Sequence, residues 1–159
     1  MLQKKVGTLP EWDLTDLYDA PDSKKFSEDM EQLKKMVHEF EKEFKNSILI
    51  EDAPVSDNAK RLKKSLVAYE NIANAMGRLS GFATLHHVTA TNDPVRTKFY
   101  GDTQVKITEI SNKIIFYELE LNSLSEKVLE KLLNDQELAS YKAWFENIRK
   151  YKPHQLSDE

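Results

Sequence analysis

Residues 23–47, SKKFSEDMEQLKKMVHEFEKEFKNS, decide the fold because their apolar side chains recur at helical intervals. These side chains, separated by three or four positions, are Phe26, Met30, Leu33, Val37, Phe40 and Phe44. Such spacing places them on one face of an α-helix, with Lys and Glu on the opposite face. Asp22 or Ser23 can cap the start of this helix by accepting backbone N–H bonds. The stretch therefore predicts a long amphipathic helix.

The same periodicity predicts a second helix, which begins at a cap provided by Ser56 or Asp57 and reaches about Thr91. Gly77 and Gly81 lower its helix preference by about 1 kcal/mol each relative to alanine, which permits a kink. These glycines and the small residues around them would also let a neighbouring helix approach closely. We therefore expect this segment to pack tightly against another helix.

Three further helices follow. Asp93, directly before a proline, restarts the chain as a helix over residues 94–122. Ser125 opens a short fourth helix, with Leu124 and Leu129 placed as a hydrophobic staple. Asp135 opens a fifth helix, which Pro153 stops.

No convincing strand and no internal repeat is visible, so we predict an all-α fold. The expected architecture is a bundle of long antiparallel helices with short connecting loops. The 159 residues suit one domain, and 40% hydrophobic residues can form a core. There is no cysteine, which excludes disulfide scaffolds, thiolate metal sites and cysteine nucleophiles.

The first residues, MLQKKV, lack the apolar run of a secretory signal, so we expect a soluble cytoplasmic protein without membrane contact. The net charge of −4 argues against a large basic surface for nucleic acid. The only dense basic cluster, KRLKK at residues 60–64, is expected to oppose the acidic first helix. We therefore predict no nucleic-acid partner.

No catalytic, cofactor-binding or metal-binding residue is predicted within this chain. His38-Glu39 resembles the start of a zinc-peptidase motif, but Lys42 occupies the position of the second histidine ligand. His86 and His87 are adjacent and point about 100° apart on a helix, so we expect them to pack rather than chelate. Likewise, Glu118 and Glu120 flank a leucine and should face different directions.

Residues 9–18, LPEWDLTDLY, form an arm that is too apolar for a free tail and should dock on another surface. Asp13 or Thr15 can cap a single helical turn that runs through Tyr18. Trp144 is expected at the edge of the core. The last residues, LSDE at 156–159, look like the start of a helix, because a staple leucine and a capping serine precede two acids.

That arm resembles the opening of oligoendopeptidase F, a zinc oligopeptidase of the thimet oligopeptidase clan. YELEL at residues 117–121 is similar to the stretch where the family's second helical region begins. YKAWFENIR at 141–149, followed by KPHQLSDE at 152–159, resembles the family's aromatic-rich helix and its Pro-His-x-Leu-Ser element. The resemblance spans nearly the whole chain.

The resemblance implies a longer parent enzyme that hydrolyses short peptides with zinc. In the family, the zinc helix lies beyond the position that corresponds to residue 159, so this chain would be the inactive N-terminal part of a helical lobe. The predicted helix start at its last residues leads us to expect a truncated piece. The implied divisions are a docking arm at 1–22, a helical bundle at 23–112, and the start of a second helical region at 113–159. Its partners would be the catalytic lobe of the same enzyme and, in the full enzyme, short peptides within a channel that the lobe walls and gates.

A free-standing helical adaptor or scaffold is the alternative, since the apolar stripe of the first helix could pair with a partner helix. If the chain is part of a lobe, surfaces meant for the catalytic lobe are exposed in the isolated piece. We expect them around Trp12, Tyr18 and the fifth helix, where they would favour self-association.

Overall fold

The computed structural model describes residues 12–154. Its helices are α1 (Lys24–Phe44), α2 (Val55–Val88), α3 (Pro94–Asn112), α4 (Ile115–Ser123), α5 (Glu126–Leu133) and α6 (Lys142–Tyr151). A 3₁₀ helix, Gln136–Tyr141, precedes α6, and a 3₁₀ turn, Lys152–His154, follows it. Residues 12–154 contain no strand, and the all-α prediction is confirmed. None of the helices in this range is both long enough and apolar enough to cross a bilayer.

The apolar stripe of α1 is buried along its full length, with no member more than 7% exposed. Ser23 caps the helix as predicted, because its Oγ accepts the N–H of Phe26 at 3.2 Å. The stripe faces α2: the rings of Phe26 and Phe82 lie 5.9 Å apart, and Arg61 donates to the carbonyl of Ser47 at 2.8 Å. The start of α1 thus contacts the end of α2. The last turn of α1 and the residues just after it contact the start of α2.

The predicted start of α2 is wrong. The helix begins at Val55, before both Ser56 and Asp57, and no side chain caps it. The carbonyl of Pro54 accepts the N–H groups of Asp57 and Asn58 at 3.0 and 3.1 Å, so helical hydrogen bonding begins earlier than the polar residues suggest. Asp57 instead lies in the first turn, where the helix dipole favours a negative charge.

The helix continues without interruption through Gly77 and Gly81. A Cβ atom added at either glycine would have no heavy atom outside its own helical surroundings within 4 Å. The predicted close approach of a neighbouring helix at these glycines is therefore wrong. Leu79 and Phe82, which are 0% and 2% exposed, anchor this part of α2 by burial in the core.

The predicted third helix, 94–122, is divided in two. Asp93 caps α3 as expected, accepting the N–H of Val95 at 2.8 Å, but α3 ends at Asn112 and α4 begins at Ile115. The backbone leaves helical geometry at Ile114, which has φ −109° and ψ 2°. This break between α3 and α4 allows the side chains of both Ile114 and Tyr117 to enter the core, where they are 5% and 0% exposed.

The region after α4 also differs from the prediction. Ser125 caps α5 as predicted, accepting the N–H of Val128 at 3.3 Å. The predicted fifth helix is two elements, because Asp135 caps the 3₁₀ helix and α6 starts only at Lys142. The helix ends at Tyr151, and Pro153 lies in the following 3₁₀ turn.

The described part of the N-terminal arm docks on the bundle. Asp13 accepts the N–H of Thr15 at 3.0 Å, and the N–H of Tyr18 bonds the carbonyl of Leu14 at 3.1 Å, which forms the predicted single turn. Tyr18 is only 3% exposed, so the expectation of an exposed Tyr18 is wrong, whereas Trp12 is 65% exposed. Residues 9–11 of the arm and the predicted helix start at 156–159 lie outside the described residues.

One hydrophobic core joins the long helices to the later elements. Tyr117 of α4 packs its ring edge-on against Phe40 of α1 at 5.0 Å, and its hydroxyl lies 2.7 Å from the hydroxyl of Ser65 in α2. The later elements add further fully or almost fully buried side chains, Leu121, Leu129, Leu132, Leu138 and Phe145. Both sides of residue 112 thus contribute to the same core, and the predicted domain boundaries stay predictions.

Candidate functional site

Two cavities share one lining residue, Tyr69, which is a half-buried residue of α2. Its hydroxyl donates to Oε1 of Glu118 at 2.8 Å. Both cavities form where α2 meets the elements that follow α3. We describe the larger as the α4 groove and the other as the aromatic cleft.

The α4 groove has a volume of about 390 Å³. Its walls come from α2, the end of α3, α4 and the end of α6 with its 3₁₀ turn, and most of its side chains are apolar. Two lining residues, Ile115 and Tyr151, are 54% and 65% exposed. The lining residues are Tyr69, Met76, Ser111, Ile114, Ile115, Glu118, Leu119, Asn122, Tyr151 and His154.

Asn122 gives this groove an unusual polar atom. The residue is 7% exposed, and its Oδ1 has no hydrogen-bond partner within residues 12–154. Beside it, Arg149 donates to the carbonyls of Asn122 and Leu124 at 2.8 and 2.6 Å and so caps the end of α4. Buried polar atoms usually have a partner, so the end of α4 is a place of imperfect polar packing.

The aromatic cleft has a volume of about 370 Å³ and lies between α2, the 3₁₀ helix and α6. Tyr141 donates its hydroxyl to Oε2 of Glu70 at 3.0 Å, and the rings of Tyr69 and Trp144 lie 6.4 Å apart. The lining residues are Leu66, Tyr69, Glu70, Ala73, Ser140, Tyr141 and Trp144. Glu70 is therefore the carboxylate of a cleft that is otherwise aromatic, aliphatic or neutral.

Tyr69 and Tyr141 remain protonated at neutral pH, because the pKa of each is raised. Burial raises the pKa of Tyr69. The carboxylate of Glu118, which accepts a hydrogen bond from the Tyr69 hydroxyl, raises this pKa further. Burial also raises the pKa of Tyr141, with a second contribution from Glu70. Their hydroxyls therefore act as hydrogen-bond donors to the two carboxylates rather than as acids or nucleophiles.

The two adjacent histidines near the end of α2 pack on different aromatic rings. The ring of His86 stacks on Phe82 at 5.7 Å, whereas the ring of His87 stacks on Tyr100 at 5.0 Å. His38 is exposed on α1. No group of three or more His, Asp or Glu side chains in residues 12–154 could hold a metal ion.

The charged residues singled out by the sequence have structural partners. Lys64 forms an ion pair with Glu43 of α1, and Lys63 forms one with Glu137 at 3.2 Å. The basic cluster at the start of α2 therefore opposes acids of its neighbours, as expected. Glu118 and Glu120 face different directions: Glu118 accepts from Tyr69, and Glu120 accepts the backbone N–H of Asn46 at 2.7 Å.

Residues 120–159 match the family model described as oligopeptidase F. The match supports the resemblance to the N-terminal region of this family over these residues. No curated protein and no solved structure matches the chain.

The described part of the matched segment, residues 120–154, forms part of the lining of each cavity. It contributes Asn122, Tyr151 and His154 to the α4 groove, and Tyr141 and Trp144 to the aromatic cleft. The other lining residues lie outside the match: they come from α2 in both cavities, and also from the end of α3 and the first part of α4 in the α4 groove. Both cavities thus lie where the matched segment meets α2.

The sequence did not predict these pairings. Tyr69 and Tyr141 recur at helical spacing with apolar residues, which predicts only that they lie on apolar helix faces, and nothing in the sequence distinguishes Glu70 from the other acids. Tyr69 and Glu118 are 49 positions apart, and Glu70 and Tyr141 are 71 apart. Local spacing contains no information on pairs at these separations, which depend on how α4 and the 3₁₀ helix meet α2.

Proposed function

We propose that this chain is the N-terminal helical portion of an oligoendopeptidase F-like zinc metallopeptidase that cleaves short peptides. Its role is to wall and gate the peptide channel and to pack against the catalytic lobe of the same enzyme. By itself it does not hydrolyse peptides. The match of residues 120–159 to oligopeptidase F is the observation that supports this proposal.

Zinc does not fit the residues that the structure describes, because residues 12–154 bring no three suitable ligands together. The 159 residues also contain no His-Glu-x-x-His motif. In the proposed enzyme, zinc binds to residues outside this sequence. The chain's contribution is therefore steric, and no chemical step is assigned to its side chains.

The adaptor alternative depended on an apolar stripe that a partner helix could cover. All of that stripe is buried within this chain, so the observation that favoured the alternative is absent.

A cytoplasmic location, which the proposal includes for the parent enzyme, is testable by fractionation of the source cells.

The inactivity of the chain is tested by assaying purified residues 1–159 on a quenched fluorescent oligopeptide with added zinc. We expect no hydrolysis above the buffer control and no stoichiometric zinc after dialysis. Hydrolysis that co-elutes with the chain in gel filtration, and that a chelator abolishes, would contradict the proposal. A preparation from cells that carry the empty vector controls for a contaminating peptidase.

The gating role is tested in a polypeptide that joins this chain to an oligopeptidase F catalytic lobe. We expect kcat/KM to fall steeply as the substrate lengthens, and a folded protein to remain uncut. Removal of residues 1–159 should weaken this length limit while the lobe retains zinc. An unchanged length limit in the shortened, zinc-loaded enzyme would exclude gating by this chain.

Contact with a catalytic lobe also predicts self-association of the isolated chain. Trp12, Ile115 and Tyr151 expose more than half of their surface, and exposed apolar patches favour association. Sedimentation velocity should show a weight-average mass that rises with concentration. The double variant Ile115→Ser, Tyr151→Ser should shift this rise to higher concentration, and an unaffected rise would exclude the α4 groove as the contact.

A further inference from the structure

The aromatic cleft combines features that suit a positively charged organic group. Three of its walls are the rings of Tyr69, Tyr141 and Trp144, which come from α2, the 3₁₀ helix and α6. Its volume of about 370 Å³ is within the range of small-ligand sites and accommodates a group the size of a side chain. Aromatic faces carry negative electrostatic potential and attract cations.

The charge of the cleft comes from Glu70. The hydroxyl of Tyr141 donates to its carboxylate at 3.0 Å and holds it at the rim of the cleft. The side chains of the two lining tyrosines, Tyr69 and Tyr141, are neutral. No Lys, Arg or His within residues 12–154 forms an ion pair with Glu70, whereas neighbouring Lys63 and Lys64 both pair with other acids. The cleft therefore contains an acid whose charge is not neutralised by the described part of the chain.

We propose that the aromatic cleft binds the ammonium or guanidinium group of an organic cation, with the carboxylate of Glu70 as its ionic partner and the rings of Tyr69, Tyr141 and Trp144 as its walls. An apolar neutral ligand would gain nothing from the carboxylate, and an anion would be repelled by it. The cation can be a basic side chain of a peptide, a peptide N-terminus or a small free amine. This inference does not depend on the peptidase proposal.

A purely structural role for Glu70 makes a different prediction. In that case the carboxylate only tethers the 3₁₀ helix to α2 through Tyr141. The substitution Glu70→Gln separates the two roles, because a glutamine carbonyl can still accept the tyrosine proton but carries no charge. Glu109→Gln on the exposed face of α3 is the matched control, since it removes the same charge away from the cleft.

The binding test uses Trp144 emission in the full chain with Trp12→Phe, because Trp12 is exposed and would add an insensitive signal. The probes are n-butylammonium and n-butylguanidinium chloride at constant ionic strength, and the neutral and anionic controls are n-butanol and sodium butyrate. Saturation-transfer NMR on the probes gives a second readout that does not depend on fluorescence. We expect saturable binding of the cations and none of the controls.

Glu70→Gln should weaken binding of both cations about tenfold or more, as expected for loss of a charge-assisted contact, whereas Glu109→Gln should leave it unchanged. Acetyl-lysine methylamide and glycinamide then distinguish a side-chain ammonium from an N-terminal one, and we expect the first to bind more tightly because its alkyl stem contacts the rings. Equal binding of n-butanol and n-butylammonium, equal effects of the two Glu variants, or no saturable signal by either method would overturn the proposal.

Discussion

Two regions of the molecule achieve burial in different ways: the first region contains the long helices α1, α2 and α3, and the second region contains the shorter elements from α4 to α6. α1, α2 and α3 have 21, 34 and 19 residues, and they pack along apolar seams that run for several turns. α4, α5 and α6 have only 9, 8 and 10 residues. Isolated helices shorter than about 12–15 residues are marginal in water, so these three depend on contacts with α2 and with one another.

The second region also has the less regular polar packing. Asn122 Oδ1 and Arg149 Nε, the buried side-chain atoms without partners within residues 12–154, both belong to it. The two cavities beside Tyr69 are lined by it as well. Departures from regular packing concentrate at functional sites in many proteins, and this comparison supports the choice of candidate site.

The largest predicted effect comes from Tyr117, which joins the two regions. Tyr117→Ala removes a fully buried ring from between α1 and α2, and we expect the free energy of unfolding to fall by about 3–5 kcal/mol. Trp144 fluorescence in a Trp12→Phe background should then change at lower urea than far-UV circular dichroism. Leu79→Ala, buried in the first region, should destabilise by about 2–5 kcal/mol with both signals still coincident. Coincident transitions in Tyr117→Ala would show that the second region does not depend on this contact.

A smaller effect is expected at Arg149, which caps α4 from α6. Arg149→Met leaves the carbonyls of Asn122 and Leu124 without their donor, and we expect a loss of about 1–3 kcal/mol in urea unfolding. Lys150→Met, its exposed neighbour with the same charge change, should alter stability by less than about 0.5 kcal/mol. Equal effects of the two variants would mean that the capping contacts contribute nothing.

The effect at Gly77 has the opposite sign. Gly77→Ala should stabilise the protein by about 0.4–1 kcal/mol, because alanine restricts the unfolded chain and its Cβ meets no neighbour. The rise in the thermal midpoint measures this effect. If the variant were destabilised instead, the result would support the close approach of a neighbouring helix at Gly77 that the sequence suggested.

The smallest effect is a pH dependence that belongs to the first region. Burial lowers the pKa of His86 below its ordinary value of 6.5, with a further contribution from Arg96, while Asp93 acts in the opposite direction. The unfolded chain therefore binds a proton before the folded one, so stability declines as pH falls from about 6.5 through the lower folded-state pKa. His86→Gln should flatten urea-derived stability between pH 7 and 5, whereas His38→Gln, exposed on α1, should not. An unaltered slope in His86→Gln would exclude this origin.

The sequence predicted the first region better than the second for a physical reason. The seam of α1 and the caps at Ser23 and Asp93 are local patterns, and each is observed. The break at Ile114 interrupts a pattern that continues at helical spacing on both sides, so only packing against other helices reveals it. The same applies to the 3₁₀ helix after Asp135, whose apolar spacing resembles that of an α-helix.

The candidate site was less predictable than the fold. The sequence predicts Trp144 at the edge of the core, but the relation of Tyr69 to Glu118 and of Trp144 to Glu70 follows from contacts between distant elements. Asn122 had no distinguishing signal, because its unpaired oxygen results from the geometry of the end of α4. The family resemblance indicated the region that contains much of the site but not the residues that line its cavities.

Native-state hydrogen exchange tests the central claim most directly, which is that the first and second regions share one core. The amides of Phe145 and Ile148 in α6 report on the second region, and those of Leu66 and Leu79 in α2 report on the first. The shared core predicts that the slowest amides of α6 and α2 exchange with the same opening free energy. If the amides of α6 exchanged orders of magnitude faster than those of α2, while the α2 amides stayed protected, the claim of a shared core would be contradicted.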